Sequence, residues 1–147
     1  MELRKKNSFY GADAIEICES DYLFVKTSQI LNSGDGLYTA ITLYKDEIVC
    51  VFTGKILSNK IAKKLAIKGE DRYFINLPDG TIMDSMHTKC FAKYANDVNG
   101  TAKTTLKNNT IISLDDSNRV CLIAIRNIKS GEELFCSYGK QYWLKHH

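Results

Sequence analysis

Glu132 and Glu133 stand together in the run Gly131-Glu132-Glu133-Leu134-Phe135-Cys136-Ser137-Tyr138-Gly139, just before Tyr142 and Trp143. Paired carboxylates can divide acid and base roles between them. Neighbours on a strand point to opposite faces, however, so this pair predicts a strand-edge feature and not a dyad. Nucleophilic catalysis needs a base, and His87 is the only histidine away from the chain end. It sits in Asp84-Ser85-Met86-His87, which reads as a loop, not as part of a Ser-His-Asp or Cys-His site. The five cysteines, Cys18, Cys50, Cys90, Cys121 and Cys136, occur singly with no C-x-x-C pair, so neither a zinc site nor a disulfide framework is expected. Several lie in apolar runs such as Ile48-Val49-Cys50-Val51-Phe52, where a thiol behaves as a small hydrophobe. Asp115-Asp116 is explained by its turn, and Gly34-Asp35-Gly36 lacks the third glycine and following helix of a dinucleotide fingerprint, so it reads as a hairpin turn.

The elements around these residues are mostly short strands. Tyr22 to Thr27 is aromatic and β-branched, Asn32 to Gly36 breaks the chain, and Leu37 to Ile41 resumes it. Glu47 to Leu57 is strand-like with Gly54 as a bend. Ser58 is placed to cap a helix over residues 59 to 67, with Ile61, Leu65 and Ala62 on its apolar face and Gly69 as its stop. Arg72 to Leu77 and Thr81 to Asp84 flank Pro78-Asp79-Gly80 as a hairpin. Cys90 to Ala95 fits one helical turn. Ala102 to Lys107, Thr110 to Leu114 and Val120 to Ile125 read as strands between polar turns. The class is therefore mainly β (α+β), built of small sheets with few short helices. Chain ends fray unless tied down, so a tail carrying Phe135, Tyr138, Tyr142 and Trp143 is expected to dock into the body.

With 147 residues, 44% of them hydrophobic and 25% charged, the chain has the composition of one globular domain. No apolar run approaches the length of a membrane span. A net charge of +3 with dispersed lysines argues against direct nucleic-acid binding; Lys60, Lys63, Lys64 and Lys68 have the spacing of a solvated helix face. The basic start, Met1 to Lys6, runs into Asn7-Ser8 instead of an apolar core, so no signal peptide is read. An intracellular location, nuclear or cytoplasmic and not secreted, is expected, with reduced thiols.

Four segments in order resemble the SET-domain protein lysine methyltransferases: Gly34-Asp35-Gly36-Leu37-Tyr38-Thr39-Ala40; Ile48-Val49-Cys50-Val51-Phe52-Thr53-Gly54-Lys55; Ala92-Lys93-Tyr94-Ala95-Asn96-Asp97; and Ala124 to Gly139. Asp71-Arg72-Tyr73, Asp79-Gly80 and Asp84-Ser85 fit the hairpin that the family places before its Asn-His motif. The resemblance implies a SET-like domain over residues 31 to 144, with residues 1 to 30 as an arm or flanking strands and 145 to 147 as a tail. It implies small curved sheets and a knot-like crossing in which the C-terminal segment passes beneath the Asn96 loop. The implied activity is transfer of a methyl group from S-adenosylmethionine, leaving S-adenosylhomocysteine, to a protein or peptide lysine, histone tails being the family's common target; no metal is expected.

By the same resemblance, Tyr138 matches the active-site tyrosine and Tyr73 a channel wall. Gly34, Asp35, Gly36, Leu37, Tyr94, Asn96, Asp97, Tyr138, Tyr142 and Trp143 match the cofactor's surroundings. Cys136 replaces the Phe or Tyr that limits how many methyls fit. Relatives usually carry Asn-His-Ser where this chain has Asn96-Asp97-Val98, which implies altered cofactor contact at Asp97. A catalytically silent SET-like module that binds a peptide or protein partner is the alternative which that substitution keeps open.

Overall fold

Three small antiparallel sheets, each of three strands, make up the body in a computed structural model that describes Met1, residues 17–100 and residues 103–146. The arm expected at the N-terminus falls mostly on residues 2 to 16, outside the described residues, as do Ala102 and His147.

The first sheet joins β1 (Leu23–Thr27), β2 (Asp35–Thr39) and β9 (Glu133–Leu134) in the order β1-β2-β9. Leu23 opposes Thr39 and Thr27 opposes Asp35, so β1 and β2 form a hairpin whose loop is residues 28 to 34. Tyr22 closes the short helix α1 (Glu19–Tyr22) and does not open the strand, because Asp21 N–H bonds back to Cys18 O. In the second sheet β8 (Val120–Ala124) lies between β3 (Ile48–Val51) and β7 (Thr110–Leu114). All five residues of β8 are buried: Val120, Leu122 and Ala124 enter the main core, while Cys121 and Ile123 pack with Ile48 on the other face. This is the two-residue alternation of a strand covered on both sides. The third sheet has the order β4 (Lys55–Leu57), β6 (Ile82–Asp84), β5 (Phe74–Asn76).

Residues 47 to 57 thus form two strands in different sheets and not one. The break is at Gly54, where a Cβ would come within 2.5 Å of Asp84 O, so the chain passes another backbone too closely for any side chain. Helix α2 (Asn59–Ile67) follows, with the Ser58 hydroxyl accepting from Ile61 N–H at 3.4 Å and Gly69 taking a φ of 77° after its end. Its apolar face differs from the expected one: Ala62 is the buried residue, and Ile61 is 49% exposed. Lys103 to Lys107 form no strand; Thr104 Oγ1 accepts from Leu106 N–H, a local bond that competes with pairing. Ala92–Tyr94 is a single 3₁₀ turn, and helix α3 (Lys140–His146) ends the described chain. Of the cysteines, Cys50, Cys90, Cys121 and Cys136 are buried and Cys18 is exposed, none of them paired.

The segment from Glu133 to Tyr138 crosses between the loop at 95 to 97 and the start of β7. Cys136 N–H donates to Asn96 O at 2.9 Å, and the backbone N–H groups of Asn109 and Thr110 both donate to Phe135 O, at 3.1 and 2.9 Å. The Asn109 side chain completes the clamp: Oδ1 accepts from Phe135 N–H at 2.8 Å, and Nδ2 donates to Glu133 O at 2.9 Å. A buried amide here acts as a one-residue strand, satisfying backbone groups that the crossing would otherwise leave unpaired. Asn109→Ala is expected to cost about 2–4 kcal/mol, since two buried backbone groups lose partners. Urea unfolding tests this: a lower midpoint at unchanged slope is expected, and a loss below about 1 kcal/mol, less than one orphaned group costs, contradicts the clamp.

Candidate functional site

The crossing brings five segments of the chain around a cavity of about 460 Å³. The β1–β2 loop supplies Ile30, Asn32, Ser33 and Gly34, and Asp35 continues the same wall into β2. Arg72 and Tyr73 come from the approach to β5, Lys93 and Tyr94 from the 3₁₀ turn, and Asn96, Asp97 and Gly100 from the loop after it. Tyr138 lies on the crossing segment, and Tyr142, Trp143 and His146 project from α3. The volume suits a ligand of cofactor size.

Local bonds fix each wall. Gly34 has a φ of 65°, which turns the loop, and Ser28 N–H bonds to Gly34 O at 2.8 Å. Asn96 Nδ2 donates to Asp35 O at 2.9 Å, joining two sides of the cavity. The Lys93 ammonium donates to the carbonyls of Ser85, Met86 and Thr88 at 3.0–3.3 Å. It also lies 5.8 Å from the Tyr73 ring centre and 5.5 Å from that of Tyr94, within cation–π reach of both. Lys93 therefore holds the 85–88 loop and orders two aromatic walls.

Asp97 is 4% exposed, and its carboxylate is shared among four donors. Oδ1 accepts from Asn99 N–H at 2.9 Å and Asn108 Nδ2 at 3.2 Å. Oδ2 accepts from Tyr138 N–H and from Trp143 Nε1, each at 2.8 Å. A buried carboxylate is tolerable only with such partners, and here they tie the loop, the crossing segment and α3 to one point. Trp143 stacks on Tyr138 at 5.8 Å and 15°, Tyr142 meets Tyr138 edge-on at 4.8 Å, and the His146 ring lies 4.5 Å from Tyr142. Lys145 pairs with the buried Asp71 carboxylate, anchoring the far end of α3. Burial is the main reason that His146 titrates below its ordinary value, against the pull of Asp71.

The Tyr138 hydroxyl donates to Ala95 O at 2.6 Å. Burial, reinforced by Cys136 and Tyr142, pushes its ionisation well above the ordinary tyrosine value, so it stays a neutral phenol. Burial likewise raises Tyr73, and carries Tyr142 to about 12.

Of the residues singled out from sequence, Gly34, Asp35, Tyr73, Tyr94, Asn96, Asp97, Tyr138, Tyr142 and Trp143 share this cavity. Gly36, Leu37 and Cys136 are not on its wall. Leu37 is 0% exposed in the core opposite Leu134, and Gly36 faces the Glu133 side chain. The Cys136 thiol is buried 3.8 Å from Ala95 O. Arg72, Lys93, the Ala95 carbonyl and the polar loop residues Asn32 and Ser33 went unrecognised as site residues. A backbone carbonyl has no sequence signature, and Arg72 and Lys93 resemble ordinary surface cations until the fold places them at the cavity.

A family model described as the SET domain matches residues 34–139. Comparison with curated proteins finds no match. Among solved structures, the chain is similar to apo ctPRC2 with two point substitutions in Ezh2, with a TM-score of 0.66 and 26% identity, covering 80% of this chain and 15% of that one. It is also similar to a humanized mutant of the Chaetomium thermophilum Polycomb Repressive Complex 2 bound to an inhibitor, with a TM-score of 0.66 and 23% identity over 80% of this chain and 15% of that one. A third likeness is ctPRC2 in an autoinhibited conformation bound to S-adenosylmethionine, with a TM-score of 0.64 and 24% identity over the same shares of 80% and 15%. The chain thus spans 15% of the length of the solved chains that it matches. With a family model covering residues 34–139 and the fold shared with those structures, the chain belongs to the SET-domain family.

Proposed function

We propose that the chain is an S-adenosylmethionine-dependent protein lysine N-methyltransferase. The observation that carries this reading is the buried, neutral Tyr138 hydroxyl at the wall of a cavity shared by the Gly34–Asp35 turn and the Asn96–Asp97 loop. The donor set fits the cofactor: Asn32, Ser33 and the Gly34–Asp35 backbone suit its amino-acid end, Arg72 its carboxylate, and Trp143 a flat ring. When bound, S-adenosylmethionine supplies an electrophilic methyl group.

The chain's residues have three tasks. An attacking lysine amine must be neutral, whereas a lysine in water has a pKa of about 10.4; the half-buried rings of Tyr73, Tyr94 and Tyr142 make a poorly hydrated approach that lowers it. The amine must be aimed. With its proton committed to Ala95 O, the Tyr138 oxygen keeps its lone pairs for an amine N–H, so it orients the nucleophile without acting as a base. Water must be kept out, which falls to the Trp143 ring stacked on Tyr138 and the Tyr142 ring packed edge-on against it. Histone tails suit this reading as substrates because the family commonly uses them. Cys136 lies behind the cavity wall, its thiol against the same Ala95 carbonyl that takes the Tyr138 hydroxyl, and it stands where a bulkier ring is usual in the family; the smaller side chain supports room for more than one methyl. The silent-module alternative finds less support, since Asp97 is built into the site as an organiser, binding Tyr138 and Trp143.

Incubation with labelled S-adenosylmethionine and mixed histones or cell extract is expected to give transfer with the wild type and a fall of about 100-fold or more in Tyr138→Phe, the scale of losing one oriented polar group; no transfer from the wild type, or equal transfer by the variant, overturns the assignment. Asp97→Ala is expected to remove a hydrogen-bond partner of the Trp143 indole, the only tryptophan, shifting its emission to the red and weakening cofactor binding about tenfold; unchanged emission and affinity contradict the organising role. Mass spectrometry of the product is expected to show Cys136→Phe shifted toward monomethyl-lysine, and an unchanged distribution removes Cys136 from product control.

A further inference from the structure

We propose that Glu133 is a positioning residue for the cofactor, its buried carboxylate clamping the β1–β2 loop from beneath. The inference rests on reading the cavity as the cofactor site. Glu132 and Glu133 diverge as strand neighbours must: Glu132 pairs with Arg126 at the surface, whereas Glu133 is 1% exposed. Its Oε2 accepts from the backbone N–H of Gln29 at 2.9 Å and from the Tyr38 hydroxyl at 3.3 Å. The one Tyr38 hydroxyl proton is shared with Thr27 O at 2.8 Å, so the start of the loop, Thr27 to Gln29, is gathered at this side chain. The other oxygen, Oε1, has no hydrogen-bond partner among the described residues. It lies 2.0 Å from where a Cβ on Gly36 would be, and Ser28 Cα is 3.2 Å from the same point.

A buried, half-satisfied carboxylate is costly, and replacing it with an apolar group is often neutral or stabilising for a fold. Its position indicates what the cost secures. Gln29 directly precedes Ile30 on the cavity wall, and the opposite end of the loop is held by Asn96 on Asp35 O. Glu133 sits on the same rigid segment that carries Tyr138, so one strand sets both the loop that would hold the cofactor and the hydroxyl that would face the reacting atoms. Gly36 is required because the carboxylate occupies the volume of its side chain, not because it touches a ligand.

Calorimetry with S-adenosylhomocysteine, paired with urea unfolding and steady-state kinetics, tests this. Glu133→Ala is expected to weaken S-adenosylhomocysteine about tenfold and raise KM for S-adenosylmethionine similarly, as loss of a hydrogen-bonded clamp implies, with KM for the lysine peptide and kcat at saturating cofactor unchanged. Glu133→Gln, which keeps an acceptor oxygen for Gln29 N–H, is expected to retain most of the affinity. Gly36→Ala is expected to unfold more easily. The pair Gly36→Ala with Glu133→Ala is expected to regain stability, since the new methyl enters the vacated space, but not affinity; it also keeps the test open should Glu133→Ala fold poorly. Wild-type affinity in Glu133→Ala, or a pair that recovers affinity along with stability, reduces Glu133 to a space-filler and overturns the proposal. Failure of the wild type itself to bind S-adenosylhomocysteine overturns the reading of the cavity, and the clamp with it.

Discussion

Everything at the cavity depends on how six residues, Glu133 to Tyr138, are threaded between two loops without leaving buried backbone groups unpaired. A strand in a sheet solves that problem with two neighbouring strands, but here only Glu133 and Leu134 lie against β2. Beyond them the ladder is completed by Asn96 O on one side and by the backbone and side chain of Asn109 on the other. Bonds at 2.8–3.1 Å from both sides give the segment one register. That register determines which side chains point where: Glu133 under the β1–β2 loop, Cys136 and Tyr138 toward Ala95 O. A slip by one residue would exchange all of them.

The electrostatics follow from the same threading. The crossing segment is so enclosed that Tyr138 cannot ionise readily, and its proton is directed to a carbonyl. An in-line methyl transfer asks for orientation and dryness more than for a strong base, which a neutral phenol with free lone pairs provides. Asp97 supplies the negative charge that the segment's end needs, gathering two backbone N–H groups, one amide and one indole. The carboxylate is therefore a connector that reaches α3, a helix whose packing depends on Trp143 and on Lys145 with Asp71.

The sequence was most legible where a local rule had no competitor. Ser58 and Gly69 bound α2, and Pro78-Asp79-Gly80 turns β5 into β6 as their types require. The family and its fold were readable because the run from Ala124 to Gly139 is long and specific. Local rules failed where tertiary contact decided. Gly54 reads as a bend, but only the approach of Asp84 O makes it a switch between sheets. Asn108-Asn109 reads as a turn, while Asn109 is a buried strand surrogate. Glu133 reads as part of a strand-edge feature, and nothing in its neighbours reveals that Gln29 and Tyr38 meet it from more than ninety residues away.

The most direct measurement is a crystal structure of the protein with S-adenosylhomocysteine. Density is expected against Gly34, Asp35 and Asn96, with Trp143 still bonded to Asp97 and the Tyr138 hydroxyl facing the sulfur. Density in another cavity, or a C-terminal segment withdrawn from Asn96 in the bound state, would contradict the view that this crossing builds the methyl-transfer site.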